Sequence, residues 1–434
     1  MMIAAETAGW IGIGTMLFMV MLGIPVAYAM GIVGFVGSLM LMGPDATRGL
    51  MEIVPFGTVA SYSFGIVPLF VVMGYLVFYA GFANGAFQTA RAWLGHRTGG
   101  VPMASVVGCA VFGAASGSGL ASTATLARIT IPEMIASGVD RKLAYGVVAA
   151  AGPLAQMIPP SILMIIYAII AEQPAGKMLI AGIVPGIIIV SVYLVTIYIK
   201  VRINPSLAPS APRVPWPERI KSVRQTWGIG VLAIFVIGGI YTGIFTPTEA
   251  GAVGATWALF LTIIAGKFTW PVLRDSIHET IRTTGMVFLI VIGAFIFGQF
   301  LSITRLPTMI STWITGLPVA PTVVIVGIVV FYLILGLFID MVAAMFITLP
   351  IILPAVIKLG YDPIWFGVLV VFLAEIALAT PPFGIGLFII NGVIEGSKLS
   401  EIAQGVLPFI LADMVILAIL IAWPQLILFL PNLM

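Results

Sequence analysis

Charge is what this sequence has least of: Asp, Glu, Lys and Arg make up 8% of its 434 residues, where a soluble globule carries roughly a quarter. A chain so poor in charge has too little polar surface to cover a water-soluble globule. Cysteine occurs once, at Cys109, which excludes an intrachain disulfide and any multi-cysteine metal site. The two histidines, His96 and His278, fall in expected loops, and neither HExxH nor GxSxG occurs, so the motifs of an intramembrane hydrolase are missing. No continuous polar stripe or charged ring runs along several spans, as a channel would need. The opening MMIAAETAGW has an acid and no basic residue, so no cleavable signal peptide is expected.

What is there is apolar: 61% of residues are hydrophobic and mean hydropathy is +1.19. Runs near or beyond the ~18–20 residues that span a bilayer recur, for example over 10–42, 64–82, 182–199, 228–245 and 406–429. In lipid each run must satisfy its own backbone hydrogen bonds, and these lengths are helical. The fold class is therefore an all-α polytopic membrane protein. The one strongly polar interruption, KVRINPSLAPSAPRVPWPERIKSVRQ over 200–225, holds six of the nineteen Lys and Arg and five prolines. It reads as a cytoplasmic linker, 201–226, between two halves.

The halves repeat. At a constant offset of 222 residues Pro25 pairs with Pro247, Pro132 with Pro354, Gly138 with Gly360, Asp140 with Asp362, Pro159 with Pro381 and Pro160 with Pro382. The chain is accordingly expected to be a duplication of 1–200 and 227–434. Arg91, Arg97, Arg141 and Lys142 flank segment 101–134 on both sides, and one span cannot place both flanks in the cytoplasm. Its first arm, 101–115, is fifteen residues, about 22 Å of helix against a ~30 Å hydrocarbon core. The segment is expected to enter and leave from one side as a re-entrant hairpin. Five spans and one hairpin per half is an odd count, so the second copy is expected to be inverted. That topology puts fourteen Lys and Arg in the cytoplasm and four (Arg48, Lys177, Arg305 and Lys358) outside, with Arg128 in the membrane.

The first hairpin contains GAASGSGLASTATLAR over 113–128, with Ser116-Gly117-Ser118-Gly119 at its tip. Irregular backbone at membrane depth is tolerated only when buried in protein or lining a wet cavity. Glycine lets carbonyls approach a ligand, and Ser and Thr supply neutral oxygens, a donor set suited to a hard cation such as Na⁺. The alternative is helix packing through small residues, and 121–125 fits that use better than the tip does. The repeat offset sets Ser118 opposite Asp340, at the expected tip of a second hairpin over 321–356. A carboxylate in mid-membrane is a functional candidate by default, with a cation as its natural partner. A protonated Asp or a helix N-cap are the alternatives, and a cap is compatible with ion binding.

Each hairpin is followed by a span broken at its centre. The first, 143–171, is broken at Ile158-Pro159-Pro160-Ser161; the second, 363–394, at Thr380-Pro381-Pro382-Phe383-Gly384. Paired prolines remove two backbone donors and push the preceding residue out of the α region, so free carbonyls are exposed at each break. Paired discontinuous helices in inverted repeats are the sequence mark of a secondary transporter's binding site. Arg128 lies about ten residues from the tip, ~15 Å along a helix, near the cytoplasmic interface; it either snorkels or binds a carboxylate. Glu375 is placed to brace the second broken helix, and Glu249 to cap the helix that follows Thr246-Pro247.

GAASGSGLASTATLARITIPEM followed by IPPSI, GIFTPTEAGAV at 243–253, and AEIAL leading into ATPPFG together resemble the large membrane subunit of tripartite ATP-independent periplasmic (TRAP) transporters, along essentially the whole chain. The resemblance implies a sodium-driven importer of organic acids in the bacterial inner membrane. It implies an elevator motion, with both hairpins and both broken helices sliding as one part against a scaffold. The implied partners are a small four-helix membrane subunit and a soluble periplasmic substrate-binding protein. Sodium is the only coupling ion or cofactor implied, and no nucleic acid is. The family's sodium sites would fall near Ser116–Gly119 with Gly336, and near Thr380, Pro381 and Gly384 with Asp340 and the 158–161 break. Pro382 and Arg128 would lie at the substrate or the hinge. Dicarboxylates, sialic acid, other sugar acids and keto acids all remain open as substrate.

Overall fold

The computed structural model describes residues 5–224, 226–339 and 341–434, and these are helical almost throughout, with no strand among them. Asp340 and Gln225 lie outside the described residues, so the expectation for Asp340 is carried no further at this point. Seven described helices are long and apolar enough to cross a membrane. Large apolar side chains cover the outside, Phe56 at 75%, Ile203 at 80% and Met21 at 85% exposure. A surface of that kind is matched by lipid rather than water. The apolar run 10–42 is two helices, Ala5–Met21 and Val26–Met42. The chain turns between them at Gly23, whose φ of 85° only glycine adopts freely, and the rigid φ of Pro25 then starts the second helix.

One group of helices packs around Trp270–Thr304, a helix of 35 residues, which lies on Val26–Met42 and Ile66–Tyr79, with Pro247–Ile264 on the far side of Ile66–Tyr79. Glycine makes these crossings close: a Cβ at Gly34 would stand 2.7 Å from the Phe297 amide nitrogen, and one at Gly293 2.4 Å from the Ala27 carbonyl oxygen. Pro247–Ile264 opens with a capping box, Thr246 accepting from the Glu249 amide and Glu249 from the Thr246 amide at 2.8 Å, which is the role read for Glu249.

The remaining elements carry the singular residues. Gly100–Ser116 and Gly119–Ala136 form a first helix pair, and Pro321–Phe338 and Met341–Lys358 a second. Arg141–Ala151 runs through a 3₁₀ turn, Gly152–Gln156, stops, and resumes as Ile162–Ile170. Pro363–Ala379 stops and resumes as Ile385–Val393. Asp140 caps the first interrupted helix through the Leu143 amide, and Asp362 caps the second through those of Ile364 and Trp365. Every residue from Ile364 to Ala379 is buried, so this helix, apolar except for Glu375, has no face toward lipid. The linker is packed rather than loose: the Gly99 amide donates to Ala208 and the Asp140 amide to Leu207. It also contains a short helix, Trp216–Val223.

Candidate functional site

The connection of the first helix pair is two residues long. Gly117 ends the incoming helix in the left-handed region, φ 62°, and the Ser118 hydroxyl caps the outgoing one by accepting from the Ala121 amide. Small size here serves close approach. A Cβ at Gly117 would meet the Pro160 carbonyl oxygen at 2.5 Å, and the Ile162 amide donates to the Gly117 carbonyl at 3.4 Å. The tip is thus seated on the first break. On its other side a Cβ at Gly74 would stand 2.5 Å from the Ser116 carbonyl oxygen, so the tip also touches the helix Ile66–Tyr79.

At the first break, the carbonyls of Pro159 and Pro160 accept no backbone hydrogen bond among the described residues. At the second break the Gly384 amide closes on Thr380 at 2.9 Å, and the carbonyls of Pro381 and Pro382 accept no backbone hydrogen bond among the described residues. These carbonyls stay free because the helix stops at each break: their would-be donors four residues on begin the resumed helices, and at the first break the Met164 amide is taken by the Ser161 hydroxyl instead. The second helix pair packs on the second interrupted helix where a Cβ at Gly336 would come within 2.7 Å of the Ala377 methyl.

A cavity of about 740 Å³ lies among these parts. Gly117, Ser118 and Gly119 of the first connection line it, as do Gly336, Ile339 and Met341 around the second, and Phe383 and Ile385 from the second break. The Trp270–Thr304 helix closes the opposite wall with Thr283. Among the described residues, no Lys, Arg, His, Asp or Glu lines it. Ser116 lies just behind, its hydroxyl 2.7 Å from that of Ser122, in a narrow recess with Ser118, Tyr75 and Thr283.

Several expected site residues lie elsewhere or are engaged otherwise. Thr380, Pro381, Pro382 and Gly384 do not line the cavity, although Phe383 between them does, and the Thr380 hydroxyl donates to the Ile376 carbonyl at 2.6 Å. Ile158, Pro159, Pro160 and Ser161 lie under the first tip, Ser161 capping the resumed helix through the Met164 amide. The hydroxyls of Thr123 and Thr125 donate to carbonyls four residues back, and a Cβ at Gly152 would strike Thr123, so 121–125 serves packing. Arg128 is exposed and lines a different cleft. Glu375 makes no hydrogen bond that could brace the break: both its oxygens are buried and unpartnered.

Two cavity residues had no part in the reading from sequence. Gln156 ends the 3₁₀ turn, lines the cavity against Gly119, and has its Oε1 buried with no hydrogen-bond partner. A polar side chain two positions before an apolar break was its only signal. Thr283 pairs with the Tyr75 hydroxyl at 2.9 Å; its helix carries nothing in sequence that tells a cavity-facing Thr from one facing a neighbour.

A polytopic helical fold with a largely apolar cavity, carrying a few neutral polar groups such as Ser118, Gln156 and Thr283, between two helix pairs and an interrupted helix is that of a membrane permease. Comparison with known proteins gives the family. Residues 13–426 match the model of the tripartite ATP-independent periplasmic transporter, DctM component, and the chain belongs to that family. It is 35% identical to the C4-dicarboxylate TRAP transporter large permease protein DctM of Pseudomonas aeruginosa over 91% of this chain and 92% of that protein. It is 32% identical to the sialic acid TRAP transporter permease protein SiaT of Haemophilus influenzae over 85% of this chain and 59% of that longer protein. The crystal structure of the Alcanivorax borkumensis YdaH transporter shares the fold, with a TM-score of 0.58 at 14% identity over 88% of this chain and 90% of that one.

Proposed function

We propose that this chain imports an organic acid across the bacterial inner membrane, driven by sodium. It would do so as the large permease subunit, working with a small membrane subunit and a periplasmic binding protein. The observation that carries the reading is the meeting of the first tip with the residues around the second connection at one cavity that no described charged side chain lines, next to two breaks whose proline carbonyls accept no backbone hydrogen bond among the described residues. Unbonded carbonyls and hydroxyl lone pairs are ligands for a hard monovalent cation. A carboxylate entering a cavity without a basic side chain needs its charge balanced, and bound Na⁺ supplies that balance. Ser116–Gly119 with Gly336 form one expected sodium site. The second is Thr380, Pro381 and Gly384 with Asp340.

The repeat gives the mechanism its symmetry. Asp140 and Asp362 cap the two interrupted helices, and paired prolines interrupt both, which supports a duplication with inverted topology and two re-entrant pairs. In this reading sodium fixes both connections, substrate completes the pocket, and the loaded part moves as a unit against the helices around Trp270–Thr304. Coupling then requires only that the sodium-loaded form without substrate moves poorly. The substrates in the names of the two relatives, a C4-dicarboxylate and sialic acid, support an organic acid. That SiaT is the longer protein supports a second membrane subunit, fused there and separate here.

The test is uptake into proteoliposomes holding both membrane subunits, with the binding protein outside. Uptake should follow an imposed sodium gradient, and Asp340→Ala should weaken the sodium dependence. Uptake indifferent to sodium would sink the reading.

A further inference from the structure

A second cleft, of about 490 Å³, opens between the returning helix of the first pair, the start of the first interrupted helix and the end of the second. Its volume is in the range of small-molecule sites, ~300–1,000 Å³. Arg128 and Arg141 both line it, and neither makes a hydrogen bond or ion pair with any described residue. Other arginines of the same face are engaged: Arg91 bonds Glu133, and Arg219 bonds the Val214 carbonyl and His96. Tyr145 forms part of the wall; it is fully buried, and its hydroxyl has no hydrogen-bond partner. A buried hydroxyl left alone is rare in native proteins, and this one belongs to the same cleft as two uncommitted guanidinium groups.

We propose that this cleft is a binding site for a small carboxylate arriving from, or leaving to, the cytoplasm. Guanidinium groups take a carboxylate through paired N–H donors, and the Tyr145 hydroxyl is a further donor needing an acceptor. Ile131 and Val393 line the cleft as well, giving the carbon skeleton an apolar bed. Glu395 also lines it and is unpaired. Its carboxylate repels a second negative charge, so the ligand favoured is a monocarboxylate with a neutral far end. Placing the cleft at the cytoplasmic face rests on the topology proposed above. There it lies on the elements that also build the central cavity, where a released acid would be held before leaving.

The experiment uses the full chain with its small subunit in phosphatidylcholine nanodiscs, in sodium-free potassium buffer, where the proposed central site is unloaded. Butyrate should raise the unfolding midpoint saturably. Arg128→Gln with Arg141→Gln should raise the half-saturating concentration at least tenfold, Tyr145→Phe should raise it severalfold, and Glu395→Gln should improve succinate relative to butyrate. Equal titrations in wild type and the double variant would overturn the proposal. So would a response confined to nanodiscs holding 20% phosphatidylglycerol, which would assign the cleft to a lipid headgroup. Repeating the titration in sodium with Gln156→Leu reads the central site separately, so failure of either site is distinguishable.

Discussion

Gln156 and Gly117 both line the cavity, and each shows a different limit of reading single residues. The Gln156 amide oxygen is buried without a partner against an otherwise neutral cavity, so it has a bond still to make. An amide oxygen accepts, so its partner on a substrate is a hydroxyl or amide donor rather than the carboxylate; losing such a neutral hydrogen bond costs about 0.5–1.5 kcal/mol, roughly two- to tenfold in affinity. Gln156→Leu is therefore expected to raise the KM for substrate by about that factor while leaving membrane insertion intact, as measured by initial uptake rates against substrate concentration. Gly117 was legible from sequence as a glycine needing unusual backbone, and its φ of 62° bears that out. What sequence could not give is the second constraint, the Pro160 carbonyl 2.5 Å from any added Cβ. Gly117→Ala combines left-handed strain with overpacking and should destabilise the protein by about 1–3 kcal/mol, read as a lowered unfolding midpoint in detergent.

Among the elements, the interrupted helices were the most legible, because paired prolines forbid a continuous ladder whatever surrounds them. Restoring the donors with Pro159→Ala and Pro160→Ala lets amides reach carbonyls that are now free. The expected outcome is loss of most sodium-dependent uptake with normal expression, checked by flux against sodium concentration. The packing of the first interrupted helix was not legible. A Cβ at Gly146 would stand 2.0 Å from the Gly405 carbonyl oxygen, and one at Gly405 2.0 Å from that of Lys142, so Arg141–Ala151 and Leu399–Ala422 touch backbone to backbone. Nothing in the spacing of 48 glycines says which two face each other. Gly405→Ala should cost about 1–3 kcal/mol, and Gly146→Ala should add little more in the double variant, because both relieve the same contact. Thermal unfolding of the single and double variants measures this.

For the whole molecule, the contact that matters is between the first tip and the helix Ile66–Tyr79, where Gly74 admits the Ser116 carbonyl. The elevator motion proposed above would have to break it in every cycle. Gly74→Leu excludes the arrangement seen here and should shift the population away from it. Cys109 is buried, so a cysteine placed at Ile339 in the cavity can be labelled against a quiet background. Its labelling rate should change and uptake should fall in the Gly74→Leu variant. Wild-type labelling and uptake together would mean that the contact takes no part in the cycle.

By itself the sequence determined the solvent, the helical class, Glu249 as a capping residue, the positions of both breaks and the family to which the chain belongs. Each of these follows from composition, from local backbone chemistry or from contiguous motifs. Only the tertiary structure decided that Gly117, Gly336 and Ile339 share one cavity, that Gln156 and Thr283 line it, and that Phe383 but not Thr380 lines it while Arg128 opens onto another cleft. The physical reason is that a side chain's direction is set by how helices rotate and cross. In a chain this apolar, small residues admit many crossings, and close packing of the whole selects one of them.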